Sequence, residues 1–140
     1  MKTVVAFVFG TFMVYCAWAQ EASTEVTGPA ITFEETSHEF GDIYQGDVVE
    51  HVFAFENTGT EPLIITNVQT TCGCTAPSWP RDPIAPGQTN EIKVRFNSAG
   101  KMGRQNKVIT VISNATASSN QIKIVTNVLP KEVVPVDGEE

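Results

Sequence analysis

Glu91-Ile92-Lys93-Val94-Arg95-Phe96 alternates charged and apolar side chains without a break. Successive side chains of an extended chain point to opposite sides, so Ile92, Val94 and Phe96 share one face and Glu91, Lys93 and Arg95 the other. This is the pattern of a strand with one face in a core and one in water. Upstream, residues 48–56 repeat it, with Val49, Phe53 and Phe55 on one face, after a Gln45-Gly46-Asp47 turn. Residues 31–36 form an earlier run, which 38–43 continues after a bend or bulge. The loop 57–62 ends at Pro62, which cannot donate a ladder bond, so the next strand is expected over 63–71. Pro77, Pro80, Pro83 and Pro86 then rule out regular structure, and Pro86-Gly87 suits a type II turn with Gly87 at positive φ. A turn over 97–104 and strands over 107–113 and 121–128 complete the series.

Short strands at this spacing, with no helical segment after the N-terminal stretch, predict an all-β immunoglobulin-like antiparallel sandwich of about seven strands. A barrel is the alternative. The sandwich fits better because strand lengths vary and the proline-rich excursion suits a crossing between sheets. Phe53 and Phe96 are expected in the core between them.

The chain has 140 residues, room for one domain, and 41% hydrophobic content is enough to fill one core. Lys2 followed by the apolar run 4–15 and by Ala17-Trp18-Ala19 before Gln20 reads as an export signal cleaved after Ala19. A membrane anchor or a lipoprotein processed at Cys16 are the alternatives; the bulky Tyr15 disfavours the second. The expected layout is a signal at 1–19, a flexible lead-in at 20–30, the sandwich at 31–129 and an acidic disordered tail at 130–140. Export makes the protein periplasmic or secreted, without stable membrane insertion once the signal is gone. Removing Lys2 takes the net charge from −7 to −8, which argues against nucleic acid and anionic lipid but not against cationic partners or metal ions.

After cleavage only Cys72 and Cys74 remain of three cysteines, flanking Gly73. Three readings stand side by side. The thiols pack a loop as small apolar groups; they form a disulfide, which an oxidising compartment favours and so tight a loop makes labile; or their thiolates bind Cu(I) or Zn(II) with a further ligand from His38, His51 or Met102. In an extended strand both sulfurs would share a face, and Gly73 would supply the backbone angles that draw them together. No nucleophile elbow, paired-carboxylate motif or phosphate loop occurs, so no catalytic residue is assigned. Asn114-Ala115-Thr116 matches a glycosylation sequon, which means little if the source is bacterial. Trp79, between prolines, reads as a core plug before an exposed anchor.

Phe53-Ala54-Phe55-Glu56-Asn57-Thr58-Gly59, Pro62-Leu63-Ile64-Ile65, Thr71-Cys72-Gly73-Cys74-Thr75-Ala76-Pro77, Ile84-Ala85-Pro86-Gly87 and Ser113-Asn114 together resemble the bacterial DUF1573 family. The resemblance runs from about Ile31 to Val128. It implies an immunoglobulin-like module similar to PapD, major sperm protein and ciliary ASH domains, of the kind common in exported proteins of Bacteroidetes-like bacteria. It implies no activity. The expected function is an exported, non-catalytic module that binds another protein through a sheet edge or the Cys-Gly-Cys end loops. The alternative is a thiol-redox or Cu/Zn-handling protein acting through Cys72 and Cys74.

Overall fold

The computed structural model describes residues 26–131, which places the signal, its cleavage site and Cys16, together with nearly all of the acidic tail, outside the described residues. Among the described residues eight strands follow one another: β1 (Ile31–Phe33), β2 (Ser37–Tyr44), β3 (Val48–Asn57), β4 (Ile65–Thr70), β5 (Thr75–Ser78), β6 (Thr89–Asn97), β7 (Gly103–Ser113) and β8 (Ser119–Leu129). They form two four-stranded sheets, in the orders β1-β3-β6-β5 and β2-β8-β7-β4. The inward faces meet in a core in which Phe53, Leu63, Ile92, Val94, Phe96, Ile109 and Val111 have no exposed surface. The Glu91–Phe96 alternation therefore does what its pattern requires, and Phe53 lies directly opposite Ile92 across the β3–β6 ladder.

The sandwich of the sequence reading holds, with five differences in detail. There are eight strands, and β2 pairs with β8 in parallel. The bend before His38 is a crossing from one sheet to the other: β1 pairs with β3, whereas β2 lies at the edge of the second sheet. Residues 75–78, read as the start of a strandless proline stretch, form β5 against β6. Pro77 is tolerated there because β5 is an edge strand, where a missing donor need not cost a ladder bond. The proline-rich excursion leads from β5 to β6 within one sheet, so the crossing assigned to it is made instead by Thr71–Cys74, between β4 and β5.

Pro86-Gly87 turns as expected: Gly87 has φ 76°, and Gln88 N–H donates to the Ala85 carbonyl at 3.0 Å. Residues 28–30, read as flexible lead-in, are tied down. Thr60 N–H donates to the Gly28 carbonyl (2.8 Å), Thr116 N–H to that of Pro29 (3.1 Å) and Thr58 N–H to that of Ala30 (3.0 Å). Gly59 makes this approach possible, since a Cβ there would overlap the Gly28 oxygen and the Ala30 nitrogen.

Candidate functional site

Two constellations of reactive side chains lie at opposite edges of the sandwich. The first is the corner between β4 and β5, where Cys72 and Cys74 are joined in a disulfide. The geometry differs from the extended strand of the sequence reading. Residues 72–74 make a turn, closed by Thr75 N–H donating to the Cys72 carbonyl at 3.3 Å. The two Cα atoms are 5.4 Å apart, against about 6.6 Å for two residues of an extended strand, so the turn itself supplies the approach. Gly73 is not in the left-handed region, and a Cβ on it would meet nothing within 4 Å. The requirement for glycine expected at this position is therefore absent.

Anchors on both sides hold the corner. Thr70 Oγ1 donates to the Cys72 carbonyl (3.0 Å), and Asn97 N–H donates to that of Cys74 (2.9 Å). Cys74 packs against the core, while Gly73 is exposed. Beside them is an open hollow of about 520 Å³ lined by Gly73, Cys74, Arg95, Asn97, Ala99 and Lys101. Its two cations favour an anion, including a thiolate released on reduction. In the disulfide state neither sulfur is a thiolate, so Cu(I) or Zn(II) has no ligand here until the bond is reduced. Met102 is exposed on the β6–β7 connection. Trp79 packs against the core as a plug, with the Arg81 guanidinium 4.0 Å from the centre of its ring.

The second constellation is at the far edge. His38 on β2 and His51 on β3 stack face to face, ring centres 3.5 Å apart and planes within 7°. Glu35, on the β1–β2 crossing, hydrogen-bonds His51 Nε2 through Oε1, and the same oxygen is 4.0 Å from His38 Nδ1. Phe40 stands edge-on to His38, and Phe53 edge-on to His51. Burial, then the neighbouring His51, push the His38 pKa below its ordinary 6.5, against the opposing pull of Glu35. These histidines are not additions to the cysteine corner. In the second sheet β8 and β7 separate β2 from β4, three strand spacings or about 14 Å.

The sequence reading gave Glu35 no role and weighed the histidines as packed or surface residues or as further ligands for the cysteines, not as partners of each other. A signal for the histidines was present: His51 stands in phase with Val49, Phe53 and Phe55, and His38 in phase with Phe40, so alternation sends both inward. A polar ring on a core face is the informative exception to hydrophobic patterning. Glu35 carried the same signal, in phase with Ile31 and Phe33 in the run 31–36, but which side chains it meets depends on how the two sheets face each other.

The eight strands, packed as two four-stranded sheets around one core, define the class of this protein as an all-β immunoglobulin-like sandwich. The family model described as "Protein of unknown function (DUF1573)" matches residues 31–128, and the chain belongs to that family. No curated protein matches the sequence. Among solved structures, a protein of unknown function from Porphyromonas gingivalis aligns with TM-score 0.63 and 19% identity over 78% of this chain. This chain spans about half (51%) of that protein. PapD-like domain 7 of human CEP192, an ASH/PapD-like domain, aligns with TM-score 0.60 and 12% identity, covering 94% of this chain and 99% of that one. The secreted serine protease VesC of Vibrio cholerae aligns with TM-score 0.55 and 12% identity over 71% of this chain and 23% of its own. At such identities the likeness is one of fold alone.

Proposed function

We propose that this chain is an exported, non-catalytic binding module that holds an extended segment of another protein along the outer edge of β2. The observation that carries the reading is the contrast among the four sheet edges. Edge strands are normally kept short or blocked, because their unpaired backbone groups recruit other chains. β1 has three residues, and β5 has four with Pro77 among them. β4 has an irregular register at Ile65–Asn67, and Asn67 Oδ1 accepts from the Val68 amide. β2 has eight residues and, among the described residues, a strand neighbour on one side only. Its bulge at Glu39–Gly41 and its acids Glu39 and Asp42 work against pairing of two copies while leaving a basic partner unrepelled. Strand addition of this kind draws affinity from main-chain hydrogen bonds and selectivity from alternate side chains.

A photo-crosslinking residue in place of Ser37 or Glu39, tested in the exported fraction of the native source, should give a discrete protein adduct. The same residue in place of Lys93, on the outer face of the central strand β6, should give none. Adducts from neither β2 position, or equally from all three, would refute the reading.

A second reading rests on the corner disulfide beside the cationic hollow: a thiol-redox role for Cys72 and Cys74. So short a loop removes only about 1.6 kcal/mol of chain entropy from the unfolded state, against about 3 kcal/mol for a fifteen-residue loop. A bond that contributes so little to folding is free to cycle. Titration in a glutathione buffer tests it: a midpoint within the physiological glutathione range supports cycling, and a bond that stays oxidised throughout excludes it.

A further inference from the structure

We propose that Glu35, His38 and His51 form a binding site for a divalent transition-metal ion of the zinc class. The proposal is independent of the binding-module reading and of the cysteine corner. Three donors from three stretches of chain converge: a carboxylate from the β1–β2 crossing, one imidazole from β2 and one from β3 of the opposite sheet. Their ligand atoms all lie within 4.8 Å of one another.

A tetrahedral ion about 2.0–2.1 Å from each donor sets the donors about 3.3 Å apart, so closure needs movements of no more than about 1.5 Å. The parallel rings must also splay so that their lone pairs converge. The chain allows this, because the Glu35 and His38 side chains are 42% and 30% exposed while His51, at 20%, is the firmer post. Two imidazoles and one carboxylate fill three of four positions and leave the solvent side for a water or a partner's side chain. Nitrogen donors in the majority select zinc-like ions over calcium or magnesium, which prefer all-oxygen sets.

A purely structural role accounts for less of the arrangement. One hydrogen bond between Glu35 and His51 needs no second imidazole. The inward positions of β2 and β3 are otherwise held by residues such as Phe40, Val49 and Phe53. Two rings facing inward from opposite sheets beside one carboxylate are poor core material and an ordinary donor set for a metal.

The test is Zn(II) titration by calorimetry, with metal analysis after gel filtration, on protein whose Cys72–Cys74 disulfide is intact. One zinc per chain is expected. His38→Ala and His51→Ala should each weaken binding by at least the roughly 10- to 100-fold that loss of even an outer-shell partner costs a metal site. Glu35→Gln is the deciding variant if either histidine variant fails to fold. It keeps a group able to hydrogen-bond His51, and it should lose zinc affinity by at least about tenfold at an unchanged melting temperature. In the parent, zinc should shift the NMR ring-proton signals of both histidines. Absence of binding, binding that survives Glu35→Gln and either histidine variant at full strength, or binding seen only after reduction of the disulfide would overturn the proposal.

Discussion

Asn57 has no exposed surface, yet its side chain carries four polar contacts that join three loops. Its Nδ2 donates to the Glu61 and Ile84 carbonyls, each at 2.8 Å, and its Oδ1 accepts from Gly59 N–H at 3.0 Å and from Ala30 N–H at 3.4 Å. Asn57→Ala removes the hub and leaves buried groups unpaired, so it should cost about 3 kcal/mol by urea denaturation. Gly59→Ala should cost about 1 to 3 kcal/mol by the same measurement, since the backbone at 28–30 must withdraw from the new Cβ. His38 sets a pH dependence. Because its folded pKa lies below 6.5, the unfolded chain takes up a proton first as pH falls. Its contribution to stability is complete above 6.5 and declines below it, until the folded form is protonated too. With a chelator present, the melting temperature should fall between about pH 7 and pH 5, and His38→Gln should flatten that fall. At this scale the sequence was partly legible: Gly87 announced its turn, but Asn57 and Glu35 draw their roles from partners far along the chain. Gly73 misled, since its freedom looked necessary only while the motif was taken as extended.

The strands were the most legible feature, because a period of two is written wherever one face is wet. β6 and β3 read directly, and Phe53 and Phe96 are fully buried as their alternation requires. Phe53→Ala or Phe96→Ala should each cost about 3 to 5 kcal/mol, and unmoved denaturation midpoints in both would contradict the register. β5 was not legible, because Pro77 reads as a breaker unless the strand is known to be an edge. The 71–74 corner lost its true geometry for a related reason: a sheet crossing and a strand continuation share the same composition. Gly73→Ala should leave both the fold and the glutathione midpoint of the disulfide unchanged, since φ is ordinary there and the space for a Cβ is open. A shifted midpoint would show that the turn depends on glycine after all.

For the whole molecule, fold class followed from patterning, while the pairing of strands did not. Which edges a sandwich leaves open depends on sheet order, and β2 lies parallel to β8, a neighbour remote in the chain. That order makes β2 an edge and brings its histidine beside β3, so both the docking surface and the zinc proposal arise from topology. On the proposed function, β2 takes an extended segment of another protein. Hydrogen–deuterium exchange on the complex captured from the exported fraction, against the free protein, tests this most directly. The account expects added amide protection concentrated in Ser37–Tyr44, with the core strands β6 and β7 unchanged. Protection confined to the Cys72–Cys74 corner, or none at β2, would contradict it.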